Sequence, residues 1–257
     1  MRRKNLFLIP FDAGADIVGA NEGVNKIFLQ IQANKNIDNL YYMKNKVLLS
    51  NKSETADVYQ QLVEISPIIQ KLIQKNDSIM FISGDHSITY YLYRICASNF
   101  NEPPVLVILD AHSDSSRLYD GWINQGTFVR ELTKNIKPEI FHIGIRYDPI
   151  KLSDIDEMVY PAFSFLHHDG LEDFFKRLGN KPCYVSIDID VLDPSICPGV
   201  NFPVPGGLSK NELLNILKKL FQLNVIAFDL VEYVPQNDVD KKSLQIAIEI
   251  IENWVVS

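Results

Sequence analysis

The chain has 257 residues, 46% of them hydrophobic, and a formal net charge of −7. That length and apolarity suit one large core, so residues 1–257 read as a single α/β domain. The negative balance, without any basic run, argues against nucleic acid or an anionic membrane as partner, and three scattered cysteines (Cys96, Cys183, Cys197) fit reduced thiols in the cytoplasm.

In chain order, the start MRRKNLFLIPFD has an apolar run too short for a leader or a membrane span, and 5–10 reads as a first strand. The stretch 35–52 shows no clear pattern. A helical pattern over 55–75 is interrupted by Pro67 and leads to a strand at 78–83 and a helix at 87–98. A strand at 105–110, a helix at 121–134 and a strand at 139–143 follow. Asp169 and Gly179 bracket a helix at 169–178, before a strand at 183–188. Ser209 and Glu212 have capping-box spacing ahead of a helix over 209–222; a strand at 224–230 and a helix at 240–255 end the chain. Strands apolar on both faces, alternating with helices, predict an open parallel sheet flanked by helices on both faces. In such sheets ligands bind beyond the carboxyl ends of the strands.

Three of those ends carry chemistry. The strand at 78–83 runs into SGDHS, with His86 at the start of the next helix. The strand at 105–110 runs into DAHSD, where Asp110, His112 and Asp114 alternate and so point the same way in an extended chain. The strand at 183–188 runs into SIDIDVLDPS, which places Asp188 and Asp190 two apart; Asp193, before Pro194, reads as turn-forming. A lone histidine here is ordinarily hydrogen-bonded to its surroundings, and a lone Asp-x-Asp is ordinarily a turn. Two imidazoles and four carboxylates at three strand ends are another matter, because buried carboxylates repel unless cations lie between them. Two metal ions sharing carboxylates use six such ligands, and the lack of cysteine with one imidazole per ion favours Mn²⁺. Four aspartates balance two divalent ions, which favours a cationic or neutral substrate over a phosphate ester.

These residues resemble the signatures of the arginase/agmatinase family of ureohydrolases: SGDHS (83–87), DAHSD (110–114) and SIDIDVLDPSICPGVNFPVPGGLS (186–209). The resemblance implies an arginase-like three-layer fold and two Mn²⁺ ions per chain, with other divalent ions possible. It implies His86, Asp110, His112, Asp114, Asp188 and Asp190 as ligands, Asp110 and Asp188 bridging the ions. Asp114 would orient a hydroxide and pass its proton to the leaving nitrogen. Glu232, in FDLVEYVP (228–235), would grip the substrate cation. A homo-oligomer, trimer or hexamer, is the assembly implied.

Departures from the family pattern bear on substrate. Many guanidine-cleaving members carry a proton-shuttling histidine before Gly-Thr, where DGWINQGTFVRE (120–131) has Gln125, a side chain that cannot titrate. Formimidoylglutamase-type members also lack that histidine, and PGVNFPVP (198–205) leans the same way. Val234 replaces an asparagine often found after the glutamate. In IGIRYDP (143–149), Arg146 reads as structural, with anchorage of a substrate carboxylate as the alternative, and Asp148 could reach a substrate amino group. Ser116 and Asn124 are candidate polar contacts; Tyr119 and Trp122 read as packing or as the entrance. The expectation is a binuclear manganese hydrolase that cleaves a C–N bond of a guanidino compound and releases urea. A formimidoylglutamase-like hydrolase of a formimino or amidine substrate, or a catalytically weak family member, are the alternatives.

Overall fold

The β-branched runs of the chain become strands of one parallel sheet. A computed structural model describes residues 2–32, 36–43, 54–116, 123–146, 157–160 and 170–257. The strands are β1 (Lys4–Ile9), β2 (Asn39–Tyr42), β3 (Ser78–Ser83), β4 (Val105–Leu109), β5 (Ile140–Ile143), β6 (Glu157–Tyr160), β7 (Cys183–Asp188) and β8 (Val225–Val231). They run in the order β2-β1-β3-β8-β7-β4-β5-β6, every neighbouring pair parallel. The helices are α1 (Ala20–Ile31), α2 (Glu54–Gln74), α3 (Ile88–Ala97), α4 (Phe128–Asn135), α5 (Gly170–Leu178), α6 (Lys210–Leu220) and α7 (Lys242–Val256).

Strand alternation divides the core into two layers. Leu6 and Leu8 of β1 face a layer closed by Val24 and Ile27 of α1, Phe174 of α5, Leu217 of α6 and Trp254 of α7. Phe7 and Ile9 face the other layer, closed by Ile69 of α2, Leu92 and Tyr93 of α3 and Phe128 of α4. Helices thus cover both faces, as the sequence predicts.

The topology matters for function because the chain leaves the middle of the sheet and returns to it. After β3 it skips two positions to β4, builds outward through β5 and β6, and comes back to insert β7 and β8. The four central strands β3, β8, β7 and β4 therefore release their carboxyl-terminal loops side by side, at a topological switch point.

Several elements differ from the sequence expectation. Helix α1 was hidden by Gly23, which lowers the helical signal but is required by packing: a Cβ there would lie 2.1 Å from the Tyr233 carbonyl oxygen. Strands β2 and β6 have four residues each, too few to show a period. The helix expected over 121–134 starts only at Phe128, because 124–127 form a turn in which Asn124 N–H donates to Thr127 Oγ1 (2.9 Å) and Gly126 N–H to Asn124 Oδ1 (3.1 Å). Helix α2 continues through Pro67. The capping box at Ser209 and Glu212 forms in full, and Gly179 follows α5 with φ +55°. Asp169 lies outside the described residues. Among the described residues no helix is long and apolar enough to cross a membrane.

Candidate metal centre

Three strand ends bring six ligand-type side chains to one place. Leaving β3, Gly84 lets the chain pass so close to β1 that a Cβ would lie 1.8 Å from the Phe11 carbonyl oxygen; Asp85 N–H donates to that oxygen (2.8 Å), and His86 turns in above the sheet. Leaving β4, Asp110 is fully buried, and its Oδ1 accepts from His112 N–H (2.7 Å), a local turn that spaces the next ligands. Leaving β7, Asp188 Oδ1 accepts from Asp190 N–H (2.8 Å) and begins a single 3₁₀ turn, Ile189–Val191. Asp190 Oδ1 reaches back to Ala111 N–H (3.0 Å), which locks the β7 end to the β4 end.

The side chains gather as two groups that share one carboxylate: His86, Asp110 and Asp114 in one, Asp110, His112 and Asp190 in the other. His86 Nδ1 stands 3.0 Å from Asp110 Oδ2, 3.1 Å from Asp114 Oδ2 and 3.4 Å from Asp188 Oδ2. His112 Nδ1 stands 2.8 Å from Asp190 Oδ2 and 3.5 Å from Asp110 Oδ1. Neighbouring ligands of an octahedral ion with bonds of about 2.1 Å lie about 3 Å apart, so these spacings fit cation ligands. Buried His86 Nδ1 and Asp110 Oδ2 have no hydrogen-bond partner, a costly omission that a metal ion would repair. The donor set of carboxylate and imidazole, without thiolate, suits a hard or borderline divalent ion.

Hydrogen bonds behind His86 fix which ring nitrogen faces the cluster. Asp229, fully buried in mid-strand β8, accepts from Tyr184 OH (2.6 Å) and Thr89 Oγ1 (2.8 Å) on one oxygen and from Ser186 Oγ (2.5 Å) on the other. With its proton committed to Asp229, Ser186 Oγ is an acceptor for His86 Nε2–H at 2.8 Å, which leaves Nδ1 to ligate.

Charges in the cluster shift one another. Burial disfavours a charged His86 ring, yet the three carboxylates outweigh it and hold its pKa well above the usual value. Burial likewise opposes charge on His112, and Asp110 and Asp190 push its pKa up to about 12. Asp110 shows the mirror image: despite burial, the two rings hold its carboxyl well below the usual range. Burial and then the Asp110 charge raise Asp114 to about 6. Asp188 is raised by burial and by Asp190, and Glu232 by burial and by Asp188. The centre favours positive charge at its middle, from protons or from metal, and the two compete for the same lone pairs.

A cavity of about 300 Å³ opens over the cluster. His86, His112, Asp114, Asp188 and Asp190 line it with Glu232, whose Oε1 accepts from His86 N–H (2.8 Å). Asp114 (φ +48°) and Glu232 (φ +65°) both sit in the left-handed region, backbone strain of a kind that collects at functional sites.

A model of the arginase family matches residues 3–256, nearly the whole chain. The chain belongs to the arginase family. Its relatives include proclavaminate amidinohydrolase from Streptomyces clavuligerus, 35% identical over 180 residues, which are 65% of this chain and 57% of that one. An agmatinase from Chromobacterium violaceum is 31% identical over 181 residues, 65% of this chain and 53% of that one. The matched stretches thus span little more than half the length of these curated relatives. The solved structure of the Streptomyces amidinohydrolase superposes with a TM-score of 0.82 at 26% identity, covering 99% of this chain and 91% of that one.

The other expected contacts of this arginase-family chain are distributed unevenly. Gln125 and Ser116 line the cavity. Asn124 is not among the described lining residues; its Oδ1 is engaged in the turn before α4. Arg146 reads as structural: its guanidinium donates to the carbonyl oxygens of Gly144 (3.0 Å), Asp190 (2.8 Å), Val191 (2.9 Å) and Val204 (3.0 Å), bracing the β7 loop from below. Asp193 accepts from Ser195 N–H (3.0 Å) and Gly206 N–H (2.8 Å), and so shapes the same loop. Asp148, Tyr119 and Trp122 lie outside the described residues. Sequence reasoning missed Asp229, although a carboxylate within the apolar run VIAFDLV gives the same signal as Asp110. It also missed Asp12, which accepts from Gly19 N–H (2.7 Å) and Asn21 N–H (2.8 Å) and fixes the loop between β1 and α1.

Proposed function

We propose that this protein is a binuclear manganese hydrolase that cleaves a C–N bond of a guanidino compound and releases urea. The observation that carries the reading is the pair of ligand groups sharing Asp110 beneath a cavity lined by Glu232. His86, Asp114 and the shared Asp110 would hold one ion, and His112, Asp190 and Asp110 the other, and Asp188, 3.4 Å from His86 Nδ1, would complete the set. When bound, the ions supply a hydroxide nucleophile near neutral pH and stabilise the negative charge that develops on attack.

The chain's own residues do the remainder. Glu232, held by His86 N–H, takes the substrate cation and sets the electrophilic carbon over the cluster. Asp114, at the edge of the cluster and lining the cavity, is the side chain we assign to accept a proton and return it to the leaving nitrogen. Gln125 cannot titrate, so proton transfer falls to Asp114. The names of the relatives, amidinohydrolase and agmatinase, support hydrolysis of an amidine-type C–N bond. We further read the protein as a cytoplasmic homo-oligomer, trimer or hexamer; light scattering measures the latter.

The test is to incubate Mn²⁺-loaded protein with arginine, agmatine and 4-guanidinobutyrate. Urea from at least one is expected, and silence on all three would sink the reading. One observation favours a second reading: Gln125 at the shuttle position suits a formimino or other amidine substrate with a better leaving group. Formamide or ammonia without urea, from such a substrate, would select it.

A further inference from the structure

A second cavity, of about 520 Å³, opens at the amino ends of β1, β2 and β3, whereas the metal centre lies beyond carboxyl ends. Three cations line it against one carboxylate: Arg3 just before β1, Lys71 in the last turn of α2, Lys75 just after it, and Asp77 before β3. In a chain of net charge −7 this is a local reversal of sign. Lys75 N–H donates to the Lys71 carbonyl oxygen (3.2 Å), so the two lysines keep helical i, i+4 spacing, where like charges repel. The cavity keeps its shape without them, because Ser78 N–H donates to the Arg3 carbonyl oxygen (2.9 Å) and Asp77 N–H to that of Leu72 (3.0 Å).

Neighbouring cations have partners. Arg2 donates to the carbonyl oxygens of Asn76 (2.8 Å) and Val225 (3.0 Å), and Lys4 Nζ to Ser257 Oγ (2.9 Å). Lys134, Lys181 and Lys210 each meet a glutamate. Among the described residues, the side chains of Arg3, Lys71 and Lys75 have neither an ion pair nor a hydrogen bond. Nor do nearby acids fill the place. Asp38 accepts from Lys4 N–H (2.6 Å), and Glu64, two turns up α2, is not among the described lining residues. Asp57 and Glu54 stand at least 14 residues before Lys71 on α2, about 21 Å along the helix. The undescribed segments on either side of β2, 33–35 and 44–53, contain four lysines and no acidic residue.

We propose that this cavity is a second ligand site, which takes a small dianion carried on a planar ring, such as a ring-bearing phosphate monoester or dicarboxylate. Three positive charges less the one on Asp77 leave two, which match a dianion. Arg3 offers a planar donor fork and the lysines point charges. Tyr41, stacked on Phe7 (ring centroids 4.3 Å apart), lines the cavity with Ile68 and Leu72 and gives a ring its apolar contact. The volume suits a small molecule. The cations are exposed, so water and salt limit each of them to a several-fold effect.

Four probes separate charge from ring: adenosine 5′-monophosphate and benzene-1,3-dicarboxylate, which have both, adenosine, which has only the ring, and inorganic phosphate, which has only the charge. Binding of each to the Mn²⁺-loaded, desalted protein is measured by calorimetry at low salt. At least one of the two ring dianions is expected to bind about fivefold or more tighter than both adenosine and phosphate, and the tighter of the two tells phosphate from carboxylate. Lys71→Glu should weaken that ligand about fivefold or more, and Asp77→Asn should tighten it about twofold, a gain that a misfolded protein cannot show. No binding by either ring dianion overturns the proposal, as does adenosine or phosphate binding equally well. So does an affinity that survives Lys71→Glu, the result expected of a dianion bound at the metal centre instead.

Discussion

Asp110 and Asp229 invite comparison, because both are fully buried carboxylates, one just beyond central strand β4 and one within central strand β8, on either side of the His86–Ser186 pair. Asp229 accepts from three hydroxyls, on Tyr184, Thr89 and Ser186, and both its oxygens are satisfied. Asp110 Oδ2 stands 3.0 Å from His86 Nδ1, and both atoms are buried without a hydrogen-bond partner. Burial alone does not mark a functional carboxylate. Unanswered acceptor capacity does, because a protein tolerates that cost only where something else supplies the positive charge.

The comparison breaks most sharply at Asp110. Asp110→Ala removes the carboxylate common to both ligand groups, so metal and activity should be lost together, activity by about a thousandfold or more, while the fold survives because the two apolar layers carry it. Metal analysis and circular dichroism on one sample check both halves. Asp229→Leu should act the opposite way. Three buried hydroxyls lose their acceptor, at about 1–3 kcal/mol each at most, so urea denaturation should show a clear loss of stability. His86 would lose the relay that orients its ring, weakening metal there about ten- to a hundredfold and sparing the ion at His112. If Asp229→Leu strips both ions and leaves stability intact, the division of roles is wrong.

A third carboxylate sharpens the distinction through pH. Burial and then the charge of Asp85 raise Asp12 to about 7. Its pKa is higher folded than unfolded, where about 3.9 is usual, so the folded state binds the proton more tightly. That contribution to stability is full below about pH 4 and is lost as pH rises through 7. Asp12→Asn should therefore flatten the fall in stability between about pH 4 and 7, by about 2–4 kcal/mol, in denaturation of chelated protein. An unchanged difference between wild type and variant across that range would count against it.

The smallest effect is expected at Gln125→His. Metal content should stay the same, and guanidine hydrolysis should rise a few-fold as a titratable group returns near the leaving nitrogen. A drop with metal intact would speak against the assignment of proton transfer to Asp114 alone.

How far these features were legible in the sequence follows from the same physics. Apolar runs ending in Asp110 or Asp188 announce themselves, because a charge in a buried strand needs a reason that lies nearby. The parallel sheet and its two-sided helical cover follow from runs such as VLVIL and CYVSID. Helix α1 did not show, since Gly23 serves contact with Tyr233 rather than helix propensity. Nor did the start of α4, because Asn124 and Thr127 make a turn from side chains that read equally well as helical. The loop between β1 and α1, which lines the metal-centre cavity with Asp16, belongs to the site only through pairings with Asp85 and Asn201, some 70 and 180 residues away. No local pattern encodes such a contact.

The claim on which the proposed chemistry depends is that these strand ends hold two ions through a shared Asp110. Metal-to-chain stoichiometry after Mn²⁺ loading and desalting, in wild type and Asp110→Ala, tests it most directly. The account predicts close to two ions per chain in the wild type and close to none in the variant. One ion or fewer in the wild type, or two retained without Asp110, would contradict it.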